Sequence, residues 1–360
     1  MLYSLDGNQS ELHLKSQDAI LPLAFYTSFS LHAYDGRKGG ISMPLNVFAF
    51  YNGLTEQTKG YPYLKRYGSI IQQLAIFEVS IQNDGTILGR PSRRLIEEAH
   101  TMGIKVFLVA SNLTRQGQFS TALIGRLVRD QDFANLVWRN IRDVLVDYRL
   151  DGINLDLEKA VPADRPLFSQ LIQTWSTMFK QANFIVTIDV PAKTWNDPQN
   201  AWRGAFDYKP IGQAVDEVIL MTYEEHWSES EPGSVASIPW VTQVLDYAIT
   251  TIPPEKIYMG IPIYGYDWPE GGTGRVIGYQ RATELARRYG APLQWDARQR
   301  STYFNYETRG VRHTVYFEDP RSLKEKLELA TRKGIRGVAL WEMNLSYPAF
   351  WEVLQTYVRR

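Results

Sequence analysis

Short apolar, β-branched runs alternate along this chain with longer stretches whose apolar residues recur every three or four positions. Runs of the first kind predict strands and stretches of the second kind predict amphipathic helices. Their alternation is the pattern of βα units around a parallel sheet. The predicted strands are 46–52 (NVFAFYN), 73–81 (QLAIFEVSI), 105–110 (KVFLVA) and 152–158 (GINLDLE). Four more follow at 184–190 (FIVTIDV), 217–223 (EVILMTY), 257–264 (IYMGIPIY) and 337–343 (GVALWEM). Eight such runs predict a closed (β/α)8 barrel of TIM type rather than an open doubly wound sheet.

The clearest helix is predicted over 132–148. Phe133, Leu136, Val137, Ile141, Val144, Leu145 and Tyr148 share one face there, and Asp132 stands in the N-cap position. Segments 93–102, 165–179, 240–250, 322–333 and 349–357 are the other predicted helices. Two regions exceed a minimal barrel. Residues 1–44 form an N-terminal extension with a mixed apolar stretch, LPLAFYTSFSL, to which the sequence assigns no structure. Residues 266–319 are too long for a βα loop and carry a helical segment (282–289) and strand-like pieces (STYFNY, HTVYFE). They are expected to form a small α+β lobe walling a cleft. The catalytic barrel is expected to span 45–265 and 320–360.

Composition then narrows the function. Lys plus Arg (39) balance Asp plus Glu (39) without long runs of one sign, which argues against a nucleic-acid surface or a polybasic membrane patch. No stretch reaches the ~18 apolar residues of a membrane span, and the start lacks a charged-then-apolar leader. With no cysteine, disulfides and thiolate metal sites are excluded. The five histidines (13, 32, 100, 226, 313) lack ligand spacing, and GGTGRVIG at 271–278 does not open a βαβ unit, so neither a metal nor a cofactor is expected. The chain has 10 Trp, 21 Tyr and 15 Phe; most suit the core, and the remainder suit a cleft that stacks on sugar rings.

The most specific feature is DGINLDLE, Asp151 to Glu158. Alternation on a strand points Gly152, Asn154, Asp156 and Glu158 one way and Ile153, Leu155 and Leu157 the other. Polar side chains inside a barrel are costly unless paired or working. Two carboxyls this close repel, so one keeps its proton to higher pH, as a general acid must. A generic pair of acids more often ends as a satisfied polar cluster or an ion pair. Glu158 at the carboxyl end of a barrel strand, where barrel enzymes carry their chemistry, favours catalysis.

Asp151-Gly152-x-Asn154-x-Asp156-x-Glu158 resembles the DGxDxDxE signature of glycoside hydrolase family 18, the chitinase-type hydrolases. Met221-Thr222-Tyr223 is similar to the family's M-x-Y on the sixth strand, and Trp341 to its eighth-strand tryptophan. The 266–319 insertion sits where many members carry an α+β lobe, so the resemblance runs from about residue 45 to the end. VILMTYEEHW and PGSVASIPWVTQVLDYAITTIPPEKIYMGIPIYGYDW resemble the bacterial spore-cortex-lytic N-acetylglucosaminidases most. Three departures stand out: Asn154 replaces the first acid, Glu224 replaces an Asp after Tyr223, and the wall-binding LysM repeats of those spore enzymes are missing.

The resemblance implies cleavage of β-1,4 linkages next to N-acetylglucosamine with retention, the substrate's own acetamido oxygen attacking to give an oxazolinium ion. Glu158 would protonate the leaving oxygen and later deprotonate water. Asp156 would orient the acetamido N–H and stabilise positive charge, Tyr223 would bond the acetamido oxygen, and Trp341 would stack beneath the sugar. Asn154, Tyr51, Glu224, Tyr264 and Trp268 are candidates for lining the substrate site, with core packing the alternative for Tyr51, Tyr264 and Trp268. His226 is read as structural. Spore cortex peptidoglycan is the expected polymer and chitin the alternative. A non-catalytic sugar binder and a structural spore-coat barrel are the competing classes, and the joint presence of Asp156, Glu158, Tyr223 and Trp341 speaks against both. A monomer is expected, spore-associated or cytoplasmic.

Overall fold

The computed structural model describes residues 44–358. The extension 1–43, with its apolar stretch and His13 and His32, lies outside the described residues. Eight parallel strands form a closed ring: β1 (Asn46–Tyr51), β2 (Gln73–Ile76), β3 (Lys105–Ser111), β4 (Gly152–Asp156), β5 (Ile185–Pro191), β6 (Glu217–Met221), β7 (Ile257–Pro262) and β8 (Gly337–Trp341). Each pairs with the next, and β8 pairs back onto β1. This is the (β/α)8 TIM barrel.

Alternation along the strands builds two cores. Phe48, Phe50, Ala75, Phe107, Val109, Ile219, Tyr258, Ala339 and Trp341 fill the lumen. Val47, Ala49, Leu74, Val106, Ile153, Leu155, Val218 and Leu340 face the helix ring. Several predicted runs overshoot their strands. The run 73–81 breaks after Ile76, because Glu78 takes a left-handed turn (φ 71°) and Ser80–Ile81 starts a short hairpin with Ile87–Leu88.

The long helix spans Gln131–Tyr148, and its cap is Asp130 rather than Asp132: the Asp130 carboxylate accepts from Phe133 N at 3.0 Å. Asp130 also closes the preceding helix, Thr121–Arg129, which the sequence pattern did not predict, so one residue serves both ends. Leu136, expected on the buried face, is 36% exposed. Among the described residues no helix is long and apolar enough to cross a membrane.

Between β7 and the helix Pro320–Lys333 lies a five-stranded antiparallel sheet (Gly265–Pro269, Arg275–Ile277, Gln294–Asp296, Ser301–Thr308, Val311–Phe317) with the helix Tyr279–Arg288. Ala282 and Leu285 of that helix pack on Phe304, Val315 and Phe317 to give the sheet its own small core. The opposite face joins the lumen cluster through Tyr266, Trp268 and Tyr316. This antiparallel sheet thus borders the carboxyl end of the barrel.

Candidate active site

β4 carries Gly152, Asn154 and Asp156 into the lumen. Gly152 is required there, since a Cβ would meet Ile185 O at 2.4 Å and the Phe107 ring at 2.6 Å. The strand ends at Asp156, so Glu158 stands two residues beyond it. Asn112, past the end of β3, holds that extension with both atoms of its side-chain amide. Its Oδ1 accepts from Glu158 N and its Nδ2 donates to Glu158 O, each at 2.9 Å. Leu157 stays in the outer layer, so the strand's alternation persists past its last ladder bond.

The sequence reading missed Asp189. The Asn154 amide donates to Thr187 Oγ1 (3.0 Å) and to Asp189 Oδ1 (3.1 Å), both on β5. Asn154 Oδ1 and Asp156 Oδ2 are buried with no hydrogen-bond partner among the described residues. Burial pushes Asp156 up to about 7. Burial pushes Glu158 well above the usual carboxylate range, helped by the charges of Asp156 and Asp189. Asp189 is raised by burial and by Asp156, against the Asn154 hydrogen bond. An acid that keeps its proton near neutrality beside a second carboxyl can donate to a leaving group and then take a proton back.

Tyr223 lies two residues past the end of β6. Gly260 makes room for it, because a Cβ there would come within 2.8 Å of the tyrosine ring. Burial, then the charges of Asp189, Asp156 and Glu158, hold the Tyr223 hydroxyl protonated and able to donate. Glu224 adopts a left-handed backbone (φ 64°) and accepts from Tyr264 OH at 2.5 Å and Tyr266 OH at 2.9 Å. Those bonds tie the loop after β6 to the antiparallel sheet. Trp268 donates to Trp227 O at 3.1 Å, and its ring lies 5.3 Å from that of Tyr266. Trp341 closes β8 with edge-on contacts to Phe50 (5.3 Å) and Phe77 (5.2 Å). The next residue, Glu342, is a further buried acid that the sequence reading passed over; burial lifts it to about 7.

Tyr51 is a correction. Phe48 and Phe50 take the lumen side of β1, so Tyr51 faces the helix layer. Its hydroxyl is committed there, donating to Thr55 O and accepting from Thr58 Oγ1, both at 2.7 Å. It does not line the cleft. His226 packs on Gly233 and bonds Glu231 O at 2.8 Å, within its own loop.

A cortical fragment-lytic enzyme of Bacillus anthracis is 32% identical over 287 residues, covering 78% of this chain and 66% of that protein. A putative sporulation-specific glycosylase, YdhD, of Bacillus subtilis is 30% identical over 79% of this chain and 69% of its own. The chain thus spans about two thirds of the length of these curated relatives. Among solved structures, the Bacillus cereus spore cortex-lytic enzyme SleL superposes with a TM-score of 0.82 at 28% identity, covering 89% of this chain and 76% of SleL. A chitinase from Chromobacterium violaceum gives 0.80 at 30% identity, over 87% of this chain and 98% of its own. The model of glycosyl hydrolases family 18 matches residues 72–345, which take in β2 through β8 and every polar group of the lumen described above. This chain belongs to glycosyl hydrolase family 18, and it is a glycosidase.

Proposed function

We propose that this chain hydrolyses β-1,4 linkages next to N-acetylglucosamine in spore cortex peptidoglycan, with retention, using the substrate's own acetamido group as nucleophile. The observation that carries the reading is the pair Asp156 and Glu158, buried at the carboxyl end of β4 with Asp156 Oδ2 unpartnered among the described residues. Glu158 is the proton donor and then the base that activates water. Asp156, free on one oxygen, takes the acetamido N–H and stabilises the oxazolinium charge. The Tyr223 hydroxyl donates to the acetamido oxygen, and Trp341 forms the floor of the sugar site. Asn154 fixes the lumen around Asp156 through its two bonds to β5. Glu224, Tyr264 and Trp268 hold the cleft wall.

The polymer and the spore association are supported by the likeness to a cortical fragment-lytic enzyme and a putative sporulation-specific glycosylase of Bacillus. The likeness to a chitinase keeps chitin oligomers as the second reading. Product analysis decides between them: on cortex fragments, saccharides with N-acetylglucosamine at the reducing end are expected. Cleavage of chitin oligomers alone would move the substrate to chitin. Efficient hydrolysis of a glycoside lacking the 2-acetamido group would remove the substrate-assisted step.

A further inference from the structure

Across Asn112 from the Glu158 backbone lies a cavity of about 210 Å³ that none of the roles above uses. Gln82 and Asn83, from the hairpin after β2, line one side, and Asn112, Arg115, Gln116 and Ser120, from the loop after β3, line the other. Asn112 is shared: the side chain that clamps the Glu158 backbone is also a wall of this cavity. Arg115 and Gln116 occupy the tip of a tight hairpin. Leu113 and Phe119 bridge across it, Gly117 N donates to Thr114 O at 2.9 Å, and Thr114 N donates to Gln118 O at 2.8 Å. The hairpin is therefore held in place while its tip is exposed.

The charge distribution decides what the cavity can hold. The carboxyl end of the lumen, on the other side of Asn112, carries the buried acids Asp156, Glu158 and Asp189. Among the described residues the cavity lining holds one formally charged side chain, Arg115, and no acid. Among the described residues Arg115 makes no ion pair and no hydrogen bond, and the side chains of Asn83 and Gln116 make none either. An unengaged guanidinium flanked by two free amides is a donor set for a carboxylate. Such a group would be repelled by the lumen and drawn to this side of it.

We propose that this cavity binds the carboxylate-bearing substituent of a sugar adjacent to the cleaved bond, with Arg115 as its cation. This rests on the peptidoglycan reading above, because a muramic unit carries an acidic lactyl ether, or a peptide built on it, where a chitin unit carries a hydroxyl. Arg115 acts on specificity and touches no reacting atom.

The test compares three tetrasaccharides of equal length: one of N-acetylglucosamine alone, one containing muramic units with free lactyl carboxylates, and the latter with those carboxylates amidated. A fourth arm carries stem peptides on the lactyl groups and separates the lactyl from the peptide carboxylate as source. In Arg115→Gln the ratio of kcat/KM for the acidic to the neutral substrate should fall roughly tenfold, the size of one charge-assisted bond, and through KM. Amidation should cost the wild type a similar factor, and raised salt should narrow both differences. Calorimetric binding of the muramic tetrasaccharide to Glu158→Gln, alone and combined with Arg115→Gln, reads the same contact without turnover. Equal affinity for the acidic and amidated sugars, or an unchanged ratio in Arg115→Gln, overturns the proposal. If the wild type cuts only the neutral tetrasaccharide yet still binds the acidic one through Arg115, the peptidoglycan reading falls and the anion site stands.

Discussion

At the amino-terminal end of the barrel Glu217 is buried but fully engaged. It accepts from Gln73 Nε2 at 2.7 Å and pairs with Arg336 at 2.8 Å, while Tyr258 donates to Gln73 and accepts from Arg336. At the carboxyl-terminal end Asp156, Glu158 and Asp189 are buried too, and among the described residues their side chains make a single hydrogen bond, from the Asn154 amide to Asp189. Burial raises the acids at both ends, yet only at the first does a guanidinium oppose it. A buried carboxylate costs several kcal/mol unless paired and hydrogen-bonded. One end of the lumen is therefore built as a structural plug, and the other leaves acid chemistry uncompensated for a substrate to complete.

The largest test of this division is Glu158→Gln. Gln keeps the shape and cannot donate the proton, so kcat should fall by about 10²–10⁴-fold while the far-ultraviolet spectrum and sugar binding are retained. Turnover like the wild type's would remove Glu158 from the acid role. The matching change at the other end is Arg336→Gln. It should leave kcat nearly unchanged and lower stability by about 2 kcal/mol, less than for a fully buried pair because Arg336 is partly exposed. Urea unfolding measures it. An active-site defect with unaltered stability would show that the two ends are not separate.

A smaller effect follows from protonation. An acid raised in the folded state binds more protons there than in the unfolded chain, between its ordinary and raised values. Stability contributed by such groups is thus greatest at low pH and falls as pH climbs, for Asp156 from about 4 towards about 7. Replacing Glu158 by Gln removes one member of the cluster, so the variant should melt roughly 2–4 °C above the wild type near pH 7.5. That gain should shrink near pH 4.5, where the wild-type acids are protonated. A gain equal at both pH values would mean that charge is not its cause.

The eight strands were legible because each is an apolar run between helical stretches, and the barrel followed from their number. Where each ladder stops was not legible. Glu158 and Tyr223 lie two residues beyond their strands, held by Asn112 and accommodated by Gly260, and both partners are distant in sequence. Asp189 had a signal: Thr187 and Asp189 are polar residues of one parity within FIVTIDV. Its link to Asn154 depends on the register that pairs Asn154 with Thr187, which no local pattern encodes. Asp130 and Asp132 are both competent caps, and the junction of two helices at Asp130 chose between them.

The smallest effect belongs to Tyr51, where the sequence and the fold part. Tyr51 and Tyr223 are both tyrosines at the carboxyl ends of barrel strands, but strand parity sends them to different layers. Tyr223 packs against the lumen cluster under the influence of four acids, Asp189, Asp156, Glu158 and Glu224. Tyr51 belongs to the outer core, with its hydroxyl bonded to Thr55 and Thr58 in the loop that follows β1. Tyr51→Phe keeps the ring and removes those two bonds. The Thr55 carbonyl and the Thr58 hydroxyl lie next to half-buried or exposed positions where water can replace the lost partner, so the cost should be about 1 kcal/mol or less. Activity on any N-acetylglucosamine oligomer should stay within about twofold, because a change of this size in the outer layer is small beside a lost transition-state contact. A loss in kcat comparable to that of Glu158→Gln, with the melting temperature unchanged, would place Tyr51 in the cleft after all.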